Sequence, residues 1–116
     1  MTGELKAGRE LDALVAEKVM GVGVEWWNGE PLYVVTQDGH ISSHHLAEYS
    51  TDIAAAWEVA EKLRADGLEI SVHNSWPYND GRRWCCDIMA HGKWDNAKAE
   101  TAPLAICLAA LKAIVA

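Results

Sequence analysis

The side chains best equipped for chemistry are three cysteines, five histidines and a group of tryptophans beside two arginines. Cys85 and Cys86 are adjacent and Cys107 stands apart, an arrangement that makes no disulfide framework and reads as reduced thiols. His40, His44 and His45 have a spacing that matches no closed zinc motif. Neighbours such as Cys85 and Cys86 on a strand point to opposite faces, so they would not share an ion. No metal and no cofactor are expected. If a turn over Pro77–Gly81 joins two strands symmetrically, however, His73 falls opposite Cys85 and Ser71 opposite Asp87. His73, Cys85 and Asp87 would then bring imidazole, thiol and carboxylate to one sheet face, the parts of a Cys–His nucleophile. A one-residue slip would scatter them. The sequence holds no nucleophile elbow, H-E-x-x-H, phosphate loop or dinucleotide fingerprint.

A second set is built for binding. Trp76, Tyr78, Trp84 and Trp94 lie close in sequence to Arg82, Arg83 and Lys93. Aromatic faces beside guanidinium groups suit stacking on a nucleobase and pairing with phosphate. Adjacent arginines on a strand face opposite ways, so one of Arg82 and Arg83 should dominate. The competing use of these rings is as core, in a chain with six tryptophans and no phenylalanine.

Three helices and two hairpins must position these groups. Leu11, Leu14, Val15 and Val19 follow helical spacing, with Asp12 mostly off the stripe, and predict a helix from Glu4 to Val19 ended by Gly21 and Gly23. Val22–Trp27 and Leu32–Thr36 read as strands around the turn Asn28-Gly29-Glu30-Pro31. Trp26 and Trp27 point to opposite sides, leaving at least one outside the core. His40–His45 is too polar to assign. Ile53, Ala56, Trp57, Ala60 and Leu63 make the apolar stripe of a second helix, capped by Ser50 or Thr51 and ended by Gly67, with Trp57 in the core. Leu68–Trp76 alternates with period two, Leu68, Ile70, Val72 and Trp76 against Glu69, Ser71, His73 and Ser75. Its polar side is partly solvated, lines a ligand site or meets another subunit. Arg82–Ala90 is its partner strand, and a loop through His91–Trp94 leads to a third helix. Thr101 caps that helix, Pro103 sits in its first turn, and Leu104–Val115 runs apolar on most faces. The predicted class is α+β, in the order α-β-β-α-β-β-α, with an antiparallel sheet of about four strands and helices packed on it.

The chain has 116 residues, enough for one domain spanning 1–116. The formal net charge of −7 argues against non-specific nucleic-acid binding and confines anionic ligands to a local basic pocket. No signal-peptide core and no membrane span is legible, so a cytoplasmic, soluble protein without membrane partners is expected. The apolar third helix also exceeds what a small monomer readily hides, which predicts a homodimer or higher homo-oligomer.

Three stretches carry a resemblance: Ala7 to Gly21 (AGRELDALVAEKVMG), Tyr49 to Leu63 (YSTDIAAAWEVAEKL) and Glu100 to Ala113 (ETAPLAICLAALKA). They resemble the phage ABA (α-β-α) sandwich domain family, and all fall on predicted helices. Glu48 and Leu108 depart from the pattern, where proline and arginine are expected. The resemblance implies an α-β-α sandwich and a bacteriophage or prophage product acting in the cytoplasm of the host cell; it supplies no catalytic motif. Three functions fit. The first is a non-enzymatic accessory protein that sequesters a small anionic nucleotide-like immune messenger as counter-defence. The second is a protein–protein inhibitor of a host or phage factor. The third is a small enzyme using His73, Cys85 and Asp87.

Overall fold

A computed structural model describes residues 6–74 and 82–115. Helix α1 spans Arg9–Lys18, and the chain then runs through β1 (Val24–Trp27), β2 (Glu30–Gln37) and β3 (His40–His45). Helix α2 (Ile53–Ala65) is followed by β4 (Glu69–Asn74), β5 (Trp84–Ala90) and β6 (Lys93–Ala99), and α3 (Ala102–Val115) closes the order. The class is α+β, as expected, but with six strands rather than four. They form two three-stranded antiparallel sheets, β1-β2-β3 and β4-β5-β6. Each half of the chain is thus a helix followed by a meander.

The two unpredicted strands have separate physical reasons. Every residue of β3 is exposed, so nothing selects an apolar alternation in its sequence HISSHH. Strand β6 begins after His91-Gly92, both at positive φ (54° and 75°). Asn28-Gly29 and Asp38-Gly39 show the same pair of left-handed residues. All three are two-residue hairpin turns of the primed kind, whose twist matches the flanking strands. Histidine is an unusual first residue for such a turn, and that hid the third hairpin.

Helix α3 is central to the core, as its composition predicts. Ala105, Ile106, Cys107, Ala109, Ala110 and Ala113 are buried. The helix packs against α2, α1 and all three strands of the second sheet. Its first turn is capped as expected: Leu104 N–H donates to Thr101 Oγ1 at 3.4 Å, and Pro103 needs no partner there. Helix α2 ends at Gly67 (φ +90°), where Leu68 N–H reaches back to Leu63 O at 3.0 Å. Its N-cap is Asp52, not Ser50 or Thr51, with Oδ1 accepting from Ala54 N–H at 3.1 Å.

Ser50 is used elsewhere. Its Oγ–H donates to Asp12 Oδ1 at 2.7 Å, its N–H donates to the same oxygen at 2.8 Å, and Gly8 N–H donates to Ser50 Oγ at 2.9 Å. Asp12, 1% exposed, also pairs with Arg9 at 3.1 Å, and Arg9 Nη2 donates to Leu46 O at 3.1 Å. The placement of Asp12 off the apolar stripe is therefore corrected. Its carboxylate is a buried clasp tying the start of α1 to the loop before α2. Trp57 is corrected in the other direction. It is 51% exposed, as Ile53 is at 52%, because this end of the α2 stripe faces an open cleft rather than a packed neighbour. Among the described residues no helix is long and apolar enough to cross a membrane.

Candidate functional site

The second sheet has two unlike faces. Ile70, Val72, Trp84, Cys86, Ile88, Ala97 and Ala99 point toward the helices and join the core. On the other face Glu69, Ser71, His73, Trp94 and Asn96 are exposed. Functional side chains occur on both.

On the inner side the exposed end of α2 leaves an open apolar cleft of about 560 Å³. Ile53 and Trp57 of α2, Ile70 and Val72 of β4, Trp84 of β5 and the segment 100–103 line it. This size suits a small organic ligand, and the apolar lining includes two indoles, Trp57 from α2 and Trp84 from β5. The N-termini of α2 and α3 both open beside it, because Ile53 and Ala102 are their first residues and both line the cleft. Positive helix-end dipoles accumulate there. Glu100 on the rim is the opposing charge. A smaller hollow of about 360 Å³ lies under Tyr33, His45 and Tyr49, but Glu58 lines it and makes it a poor host for an anion.

Of the residues proposed for ligand binding, Trp84 lines the cleft. Arg82 and Arg83 immediately precede it, Arg82 half-buried and Arg83 exposed. Arg83 N–H donates to Ala99 O at 3.2 Å, which ties the segment before β5 to the end of β6 next to Trp84. Trp94 is not brought to Trp84. It pairs with Met89 on the outer face and is 52% exposed. Trp76 and Tyr78 lie outside the described residues. Trp57 was missed as a site residue because helical periodicity counts it as core, whereas it is half exposed on the cleft.

On the outer face the symmetric register holds: His73 pairs with Cys85 and Ser71 with Asp87. His73 Nδ1 lies 3.6 Å from Asp87 Oδ2, and the Cys85 thiol donates to Asp87 Oδ1 at 3.7 Å. Burial, then the Asp87 carboxylate and its hydrogen bond, push the Cys85 thiol up from its ordinary value. A thiol held protonated by a carboxylate, with the imidazole paired to that carboxylate, is a weak nucleophile. Cys86 faces the core, where burial pushes its thiol to about 12. His40, His44 and His45 are on the first sheet, where Ser42 Oγ and His44 Nε2 are 3.1 Å apart and the His44 ring stacks on Tyr33.

Among curated proteins no sequence matches the chain. The fold is similar to a crystal structure of a phage protein from Bacillus cereus ATCC 14579, with a TM-score of 0.77 and 25% identity over 98% of this chain and 97% of that one. Residues 13–111 match the phage ABA sandwich domain. That match takes in most of α1, both sheets, α2 and the first ten residues of α3, so this chain belongs to the phage ABA sandwich domain family.

Proposed function

We propose that the protein is a non-enzymatic phage counter-defence factor that binds and sequesters a small nucleotide-type immune messenger, a cyclic oligonucleotide or ADP-ribose derivative, in the cytoplasm of the infected host. The observation that carries this reading is the cleft walled by Trp57 and Trp84, with Arg82 and Arg83 entering the sheet at its edge. Indole faces take the base, a guanidinium takes the phosphate, and the cleft needs no reacting group. Retention by tight binding is sufficient, because a sponge works by mass action.

A panel of nucleotide messengers screened by thermal melting tests it. At a ligand concentration of about 100 Kd the gain is about 2.7 kcal/mol, roughly 10 °C for a chain of this size. The ligand should be recovered intact after denaturation. Trp57→Ala should weaken binding by about 1–3 kcal/mol and spare the fold, since the ring is half in solvent. One of Arg82→Ala and Arg83→Ala should cost about 2–5 kcal/mol of affinity. Absence of a shift with every messenger, or recovery of altered nucleotide, overturns the reading.

The same reading has the chain acting as a homodimer or higher homo-oligomer. On helix α3, Ile106, Cys107 and Leu111 are buried within one chain, which leaves Ile114, 41% exposed, and the half-buried Leu104 and Leu108 for such a contact. The first sheet offers a better surface: Trp27 and Ile41, 60% and 74% exposed, share a face with Leu32 and Val34 by register.

A further inference from the structure

The outer face of the second sheet holds a donor set that the sequestration reading does not use. His73 and Cys85 face each other across β4 and β5, and Asp87 follows two residues along on the same side. The imidazole nitrogen, the thiol sulfur and a carboxylate oxygen all lie within 4.8 Å of one another. Asp87 joins the other two: His73 Nδ1 lies 3.6 Å from Oδ2, long for a direct hydrogen bond between nitrogen and oxygen, and the Cys85 thiol reaches Oδ1 at 3.7 Å, and both separations are near those of donors around one ion. Around a tetrahedral ion with metal–sulfur distances of about 2.3 Å and metal–nitrogen or metal–oxygen distances of about 2.0–2.1 Å, adjacent donors sit roughly 3.3–3.6 Å apart. The two edges to Asp87 need to contract by at most a few tenths of an ångström, and the edge between His73 and Cys85, within 4.8 Å, closes by a turn of the exposed imidazole. Both strands are anchored, Cys85 is buried, and His73 and Asp87 remain open to solvent.

We propose that His73, Cys85 and Asp87 form a three-ligand site for a zinc-type divalent ion, with its fourth position open to water or an incoming ligand. The donor chemistry selects the class. Thiolate and imidazole suit zinc, whereas magnesium and calcium require oxygen ligands throughout. On binding, the Cys85 sulfur–hydrogen bond breaks, the proton leaves to solvent and the sulfur lone pair goes to the metal. The charged neighbours act in opposite senses. Lys98 stands across from Cys85 on β6; it favours the thiolate and opposes the dication. The exposed His73 imidazole is neutral when it ligates. Sequence reasoning brings these three side chains together by the same register, but as parts of a nucleophile; for a metal it weighs the cysteines only with His40, His44 and His45.

Cobalt(II) is the probe, added to the reduced full chain and followed by absorption. The expected result is one equivalent bound with a sulfur-to-cobalt charge-transfer band and visible bands of tetrahedral intensity, all bleached by one equivalent of Zn²⁺. About one proton should be released per ion in weak buffer. Cys85→Ser should abolish the sulfur band. Loss of an outer partner already costs about 10–100-fold in metal affinity, so loss of this ligand should cost more than about 100-fold. Asp87→Asn keeps shape and removes the anion, so it tests the site should the Cys85 variant fail to fold, and it should also weaken binding. Cys86→Ala, facing the core, should leave the band in place. Exposed histidines of the first sheet have no thiolate and cannot mimic the signal. A wild-type chain with no sulfur band, or a band that survives Cys85→Ser or full affinity in Asp87→Asn, overturns the proposal.

Discussion

Replacing Ser50 with alanine removes one hydroxyl from the clasp between α1 and the loop before α2. The Ser50 Oγ–H donates to the buried Asp12 carboxylate at 2.7 Å and Oγ accepts Gly8 N–H at 2.9 Å. A hydrogen bond to a charged group contributes about 1.5–3 kcal/mol. The Gly8 N–H is half-buried and partly rescued by water, adding up to about 1 kcal/mol. The sum is about 2–4 kcal/mol. At roughly 4 °C per kcal/mol for 116 residues, Tm should fall by about 8–16 °C. Urea unfolding should show the midpoint moving with an unchanged slope, since the fold and its buried surface persist. Asp12→Asn removes the charge that strengthens the bond and the partner of Arg9, 3.1 Å away. In that background Ser50→Ala should cost about 1 kcal/mol less, the coupling expected of residues that share one hydrogen bond. A single-mutant cost below about 1 kcal/mol, or full additivity, would refute a load carried by this clasp.

Three further outcomes are expected. The Cys86 and Cys107 thiols, pushed by burial to about 12, stay protonated in the fold while unfolded thiols ionise near 9.0. The unfolded chain then binds fewer protons between those values, so stability falls as pH rises through that window. The loss is roughly 3 kcal/mol per thiol at about pH 11, and urea titrations should show Cys107→Ala losing less than wild type. Gly92→Ala forces an alanine to φ +75° and should cost about 1–2 kcal/mol by thermal melting, whereas His91→Asn at φ 54° should be neutral or better. Light scattering at micromolar concentration should give a dimer or larger mass that Ile41→Lys reduces to a monomer; a wild-type monomer would remove the first sheet as a contact.

How far the sequence could be read depends on what each signal measures. The three helices were legible from their apolar spacing, with Gly67 ending α2 and Thr101 capping α3, and the β4–β5 register followed from turn symmetry and strand alternation. Strand β3 was not, because a strand exposed throughout leaves no period in its residues. Strand β6 carries Lys93, Asp95, Asn96 and Lys98, poor strand formers held in place by pairing with β5. Asp12 and Trp57 were exchanged in role for one reason: periodicity reports which face a residue occupies, not what packs over that face. The cleft at Trp84 was half legible, since composition pointed to Trp84 and its arginines, but Trp57 joins it from a separate element, α2, through tertiary packing that no local pattern reports.

Helix α3 is both the last element and the one against which α1, α2 and the second sheet pack. During synthesis the chain therefore emerges with its centre missing. The two meanders can close locally on their tight turns, yet Ile88, Cys86 and Val59 have no interior to enter until residues 102–115 have left the ribosome. A chain cut before residue 102 should therefore unfold without cooperativity and leave those apolar faces open to water.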